Sequence, residues 1–123
     1  MAVTVTNQAT PLGNKMVHDT SANGAAATNT TGASGVLFLV QIDNTANSQV
    51  SYFKMYNNAS VTPGTTVPDF VFMVPASASR AYSIPLGVSF GTAFSHCCTS
   101  TGGTTGTTAQ NPVNPVVVTY VTT

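Results

Sequence analysis

The segment from Arg80 to Phe90 constrains the fold most, because its side chains alternate with a period of two. One parity holds large, mostly apolar side chains and the other holds small ones. Such alternation is typical of a β-strand with one buried face. Pro85 and Gly87 lie among the alternate positions that carry small side chains, and these residue types mark a bulge or a sheet edge. The side chains expected to face the core are Tyr82, Ile84, Leu86, Val88 and Phe90.

Short runs of β-branched and aromatic residues recur along the rest of the chain, separated by turns rich in Gly, Pro, Asn and Thr. No segment carries apolar residues at helical spacing between caps. The sequence therefore predicts an all-β chain that forms a single antiparallel β-sandwich, either jelly-roll or Ig-like. The other predicted strands are Val3–Thr6, Val36–Ile42, Gln49–Tyr56, Asp69–Val74, Thr92–Thr99 and Pro115–Thr122.

The segment from Asn7 to Ser34 is polar, with small side chains and no sustained apolar period. We expect it to be a long irregular N-terminal arm or loop, with a small hairpin within it as the alternative. Residues 1–34 would then comprise a first short strand and this extended arm, and residues 35–123 the β-sandwich, as one domain overall. An extended arm can add a strand to a partner's sheet edge, so it is the predicted attaching segment. A second polar loop is expected from Ser100 to Asn114.

Charged side chains make up 5% of the residues, with three basic and three acidic groups and a formal net charge of zero. Acid–base catalysis needs titratable groups beside the substrate, and nucleic-acid binding needs clustered Lys or Arg. The composition therefore predicts that the protein is not an enzyme and binds no nucleic acid. A neutral, weakly charged surface favours a protein that is attached to a partner. We also expect no membrane contact and no signal peptide.

His96, Cys97 and Cys98 form the one sequence cluster of metal-ligand residue types. A structural zinc site needs about four ligands, and the remaining candidate, His18, lies in the predicted arm. Neighbouring residues on a strand point to opposite faces, so a disulfide between the adjacent cysteines is disfavoured. We interpret both cysteines as buried small apolar side chains. No catalytic residue, cofactor-binding residue, metal ligand or cofactor is expected.

The three aspartates lie in separate segments, and their spacing does not point to a catalytic carboxylate pair. Asp43 is interpreted as a turn residue, and Asp69 is a weak candidate for a calcium ligand. Tyr52 and Tyr56 flank Lys54 on one strand face. We interpret these tyrosines and Phe53 as packing residues rather than a sugar platform. Lys54 is interpreted as an edge residue whose ammonium reaches water. No small-molecule substrate is expected.

The stretch from Tyr52 to Ala59 (YFKMYNNA) resembles small virion proteins of tailed bacteriophages, of the decoration, cement or head-fibre type. The likeness covers roughly Val40 to Phe94, with a Thr- and Gly-rich loop and a Val-rich last strand. The cysteine pair and the predicted arm depart from the pattern. The other matching parts are Thr62–Thr65, Val67–Pro68, Phe70–Pro75, Arg80–Phe90 and Gly91–Ser95.

The resemblance implies a non-enzymatic capsid decoration subunit that binds the outside of the major capsid protein shell and stabilises it. It also implies a homo-oligomer, with a trimer favoured over a dimer. The expected location is the capsid exterior of the virion, after synthesis in the host cytoplasm without secretion. The alternative is a host-adhesion or carbohydrate-binding β-sandwich module on a virion fibre or tail.

Overall fold

The computed structural model describes residues 2–7, 13–104 and 110–123. Within these ranges the chain forms β-strands and no helix, so no described helix is long and apolar enough to cross a membrane. Every predicted strand is present with slightly shifted ends, and one further strand, β2, was not predicted. Residues 105–109 of the predicted polar loop lie outside the described residues. The strands are β1 (Val3–Asn7), β2 (Lys15–Ala22), β3 (Gly35–Asp43), β4 (Ser51–Asn57), β5 (Phe70–Val74), β6 (Ser79–Phe90), β7 (Phe94–Thr99) and β8 (Val116–Thr122).

Two antiparallel sheets enclose one core, which confirms the predicted β-sandwich. The larger sheet has the order β1-β2-β8-β3-β6, and the smaller has the order β5-β4-β7. Rings from both sheets meet in the core, where the Tyr120 centroid lies 6.2 Å from those of Phe53 and Phe94. Aliphatic side chains such as Val17, Leu37 and others from β2, β3 and β8 surround these rings.

The strand pairs are nested along the chain. β4 pairs with β5, β3 with β6, the segment at Ala27 with β7, and β2 with β8. Each pair encloses the one before it, as when one long hairpin is rolled into two facing sheets, and this arrangement is the jelly roll. Of the two predicted sandwich types, the strand order therefore selects the jelly roll. β1 lies outside the nested pairs, as an additional strand on β2.

The structure corrects the expected irregular arm. Lys15–Ala22 forms β2, which lies inside the larger sheet between β1 and β8. The strand pattern was hidden because its inward row contains Asp19, fully buried, beside Val17. Residues 23–34 are irregular but packed, since the Thr30 amide donates to the Phe94 carbonyl at 2.8 Å. This segment is therefore packed as part of the sandwich and is not a separate arm. Residues 8–12 of the predicted arm lie outside the described residues.

Leu86 was predicted to face the core, and this prediction is wrong, because its side chain is 96% exposed. The register between β3 and β6 shifts between Leu37 and Leu39, where β6 has more residues than β3. Gly87 lies in this bulge with a φ of 74°, a conformation that glycine adopts without strain. The bulge that Pro85 and Gly87 indicated breaks the two-residue period and turns Leu86 to solvent. Of the other predicted positions, Phe90 is buried, Tyr82 and Ile84 pack against the core and Val88 is half-buried.

Candidate functional site

His96 lies at the centre of the polar groups between the two sheets. Its side chain projects from β7 towards the larger sheet, where Nε2 lies 2.8 Å from Asp19 Oδ2 on β2. Its Nδ1 lies 3.0 Å from Tyr120 Oη on β8. All three side chains are fully buried. Packing of the two sheets thus joins residues that are far apart in the sequence, and no sequence pattern linked Asp19 to His96.

The polar contacts continue on both sides of this trio. Tyr120 Oη contacts Thr30 Oγ1, which in turn donates to the Phe94 carbonyl at 2.9 Å. At the other end, Asp19 Oδ1 accepts a hydrogen bond from the Ser21 amide at 2.9 Å. No buried polar side-chain atom in the described ranges is left without a hydrogen-bond partner. We name as the buried polar chain the residues Asp19, His96, Tyr120 and Thr30.

Electrostatics define the protonation of the two acidic groups in the buried polar chain. Burial acts to raise the pKa of Asp19, but the hydrogen bonds from His96 and the Ser21 amide, together with the charge of His96, bring it below its ordinary value of 3.8. Burial raises the pKa of Tyr120 well above its ordinary value, and the Asp19 charge adds to the rise. At neutral pH, Asp19 is therefore an ionised acceptor and Tyr120 a neutral hydroxyl.

The buried polar chain places a carboxylate, an imidazole and a hydroxyl in series, the same group types as in nucleophile–base–orienter systems. The hydroxyl of Tyr120 is already in contact with His96 and Thr30. Asp19, His96 and Tyr120 have no exposed surface, so a substrate has no path to them in this structure. The arrangement joins β2, β7 and β8 across the core. That His96 takes no part in catalysis remains a prediction.

The two cysteines are free and fully buried, as their interpretation as small apolar side chains requires. Cys98 packs in the core between the sheets. Cys97 points to the other face of β7, where its Sγ lies 3.3 Å from Tyr56 Oη. Burial raises the pKa of both thiols, that of Cys98 to about 12. With raised pKa values both cysteines are protonated thiols at neutral pH, whereas the thiolate is the form that acts as a nucleophile or a metal ligand.

Lys54 is not an edge residue with an ammonium in water, so that interpretation is wrong. It lies on β4, the central strand of the smaller sheet, and is 1% exposed. The loop after β7 approaches this outer face, because a Cβ placed on Gly102 would lie 3.2 Å from the Tyr52 ring. Burial lowers the pKa of Lys54. The outer face of the smaller sheet therefore includes a second buried layer.

The candidate metal ligands are dispersed. Within residues 2–7, 13–104 and 110–123, no three His, Cys, Asp or Glu side chains are grouped so that they could hold a metal ion. His18 is adjacent to inward-facing Asp19 on β2 and so points to the opposite face, where its Nδ1 lies 2.8 Å from Thr119 Oγ1. Asp69 Oδ2 accepts a hydrogen bond from the Asn57 amide at 2.6 Å.

An open cleft of about 440 Å³ lies on the larger sheet, across β3, β6 and β8. Asp43 lines it, and its Oδ1 accepts bonds from the Thr45 amide at 2.9 Å and hydroxyl at 2.6 Å. These bonds confirm the predicted turn and lower the pKa of Asp43. Arg80 also lines the cleft and donates to the Ser79 carbonyl at 2.9 Å. The cleft thus offers an anionic acceptor and a cationic donor. The other lining residues are Gln41, Ile42, Ala81, Val117 and Thr119.

Exposed apolar side chains lie on β5 of the smaller sheet, in the loop before it and on β6 of the larger sheet. The Tyr82 hydroxyl donates to the Met73 carbonyl at 2.8 Å, and its ring centroid lies 4.9 Å from that of Phe72. Sequence reasoning missed this surface, although Gly87 was the signal that could have placed Leu86 outside. We name as the β5–β6 rim the exposed residues Val67, Val71, Met73 and Leu86.

Comparison of the chain with protein-family models, with curated proteins and with solved structures finds no match in any of the three.

Proposed function

We propose that this protein is a non-enzymatic virion structural protein, a capsid decoration or cement subunit that binds the outside of the major capsid protein shell and stabilises it. The sequence resemblance of the Tyr52–Ala59 region to such bacteriophage proteins supports this function. The jelly-roll strand order is compatible with it, because viral capsid and lectin domains use this architecture. A fold alone does not define a function, so the surface has to support the proposal.

The β5–β6 rim is the observation on which the proposal rests. Leu86 on β6 is 96% exposed, and Met73 is 52% exposed on β5, whose main chain accepts the Tyr82 hydroxyl of β6. Exposed apolar side chains of this size are candidate contacts for a protein partner. Two of the charged side chains, Asp19 and Lys54, are buried, which leaves the surface with few charges. Attachment through such a surface relies on apolar burial and main-chain hydrogen bonds rather than on ion pairs. A permanent position on a shell of protein fits this chemistry.

The partners follow from the same surface. The proposed binding partner is the major capsid protein, with a homo-oligomer of the chain as the attached unit. Few exposed cations are available for phosphates, so nucleic acid is not a proposed partner. Neither a membrane nor a small-molecule substrate is required. The proposed location is the capsid exterior, after synthesis in the host cytoplasm.

Binding to purified particles that lack this protein tests the proposal. The wild-type protein should bind at about 1 M salt, where the Debye length is about 3 Å, because screening leaves apolar contacts intact. Leu86→Asp should remain folded and lose most of its binding, since it places a charge in an apolar contact. The matched control Ser89→Asp puts the same charge at another exposed position of β6. Equal binding by both variants, or a wild-type protein stripped by moderate salt, would contradict attachment through the β5–β6 rim.

The cleft across β3, β6 and β8 favours a second candidate function, host adhesion through carbohydrate. Its volume of about 440 Å³ lies within the usual range for small-ligand sites. Asp43 and Arg80 supply an acceptor and a donor for sugar hydroxyls, and Ala81 and Val117 supply apolar contact. Glycan-array binding that is lost in Gln41→Ala and retained in Leu86→Asp would favour adhesion over capsid attachment.

A further inference from the structure

β1 is the one strand of the larger sheet that lies outside the nested jelly-roll pairs. It pairs with β2 in an unbroken register, from Val3 opposite Asp19 to Asn7 opposite Lys15. It is also the end strand of the sheet order, with no described strand on its far side. Its outer edge therefore carries main-chain groups for which the described part of the chain provides no strand partner.

The hydrogen-bond phase of the β1–β2 pair identifies these main-chain groups. The Thr20 amide donates to the Ala2 carbonyl at 3.1 Å, so this facing pair is a hydrogen-bonded one. Hydrogen-bonded and non-hydrogen-bonded pairs alternate along an antiparallel ladder. The main-chain groups of Thr4 and Thr6 therefore face β2, and those of Val3, Val5 and Asn7 face the open edge.

The other three edge strands are protected from pairing with another chain. β6 has its bulge and Pro85, and both devices disrupt strand addition. β7 is covered by the segment at Ala27, which exchanges two main-chain bonds with His96, at 2.8 Å and 2.9 Å. β5 ends directly before Pro75, and the Tyr82 hydroxyl occupies the Met73 carbonyl. β1 has none of these devices, because it contains no proline, charge or bulge.

We propose that two copies of the chain pair through β1, antiparallel and about a twofold axis at Val5. In this register Val5 faces Val5, and Val3 faces Asn7 of the second copy. All of these residues have edge-facing main-chain groups, so each facing pair exchanges two hydrogen bonds. Thr4 faces Thr6, so hydroxyls meet hydroxyls on one side of the sheet. Val5, which is 45% exposed, is covered by its own copy on the other side.

A second copy fits this edge better than an unrelated strand does, because the edge is complementary to itself. Its edge-facing groups are symmetric about Val5, and β1 carries no charge that would repel an identical strand. Such an isologous contact closes on itself and gives a dimer, whereas the sequence resemblance favoured a trimer. The two larger sheets then continue as one. This pairing needs no capsid, so it stands or fails independently of the proposed attachment.

Two variants at Val5 separate main-chain pairing from side-chain packing. Val5→Pro removes an amide that faces the open edge and leaves the ladder to β2 intact. Val5→Thr keeps the amide and the β-branched shape. By sedimentation of the full chain over a dilution series, the wild type and Val5→Thr should be dimers and Val5→Pro a monomer. A monomeric wild type, or a Val5→Pro protein as dimeric as the wild type, would overturn the proposal.

Hydrogen exchange of the wild-type protein provides a test without substitution, in case Val5→Pro does not fold. The Val5 amide should be protected at high protein concentration and should exchange faster on dilution, while the Thr4 amide, bonded to β2, should stay protected at both. Fast exchange of the Val5 amide at every concentration would refute pairing of β1. Protection of Val5 that appears only on capsid particles would assign the edge to a different protein and would also refute self-pairing.

Discussion

Removal of the Asp19 carboxylate should destabilise the fold far more than removal of an exposed carboxylate. Asp19→Ala leaves two buried donors, the His96 ring and the Ser21 amide, without their acceptor. A buried donor left without its acceptor costs about 1–3 kcal/mol, and here two donors lose theirs. For a domain whose total stability is about 5–15 kcal/mol, this is a large fraction of the free energy of unfolding.

Urea unfolding followed by far-ultraviolet circular dichroism measures the effect. The matched control is Asp43→Ala, which removes an exposed carboxylate whose bonds stabilise one turn, and it should cost about 1 kcal/mol. The double variant Asp19→Ala/His96→Leu should recover part of the loss, because it removes the unpaired imidazole as well. If Asp19→Ala unfolds at the same urea concentration as Asp43→Ala, the buried polar chain does not stabilise the fold as argued.

Two further predictions concern the same core and the β6 bulge. The pKa of Asp19 is lower in the folded than in the unfolded protein, so its stabilising contribution should be present above about pH 4 and should be lost as the pH falls further. The difference in unfolding free energy between wild type and Asp19→Ala should therefore shrink in acid. A constant difference down to about pH 2 would contradict this linkage. Gly87→Ala should destabilise the fold by about 2–4 kcal/mol, since its Cβ would lie 2.2 Å from Val36 Cγ1 at a φ of 74°. The control Gly91→Ala places its Cβ in open space and should be nearly neutral. Equal melting temperatures of the two variants would refute the bulge geometry.

The sequence was sufficient to predict the sandwich, because most strands carry an apolar row that neighbouring turns delimit. It failed for β2, where the inward row includes Asp19 and the apolar pattern is lost. The position of Leu86 failed for a different reason. A two-residue period describes a regular strand, and the size of the bulge at Gly87 depends on the partner strand β3. The two-residue period of β6 alone therefore carries no information about the register of β6 against β3.

The candidate sites were harder to predict than the fold. The Asp19–His96 contact joins β2 and β7, which lie in different sheets and far apart in the sequence, so neither residue has a local signature of the other. Lys54 was misassigned because its burial depends on β4 being central and on a loop from a later part of the chain. The turn at Asp43 was predicted correctly, since its hydrogen bonds are made with the nearby Thr45. Local chemistry was predictable and long-range pairing was not.

The nested strand pairs also differ in the entropic cost of bringing their strands together. Among the nested pairs, β4–β5 closes the shortest loop, and each enclosing pair must bring together segments that are farther apart, at a growing entropic cost. β2 lies between β1 and β8, so its pairing on one side requires the last of the described strands. A nascent chain on the ribosome therefore cannot bury Asp19 until β8 has been synthesised. Completion of the core therefore depends on pairing between distant segments, and slow folding is the expected behaviour of such non-local pairing.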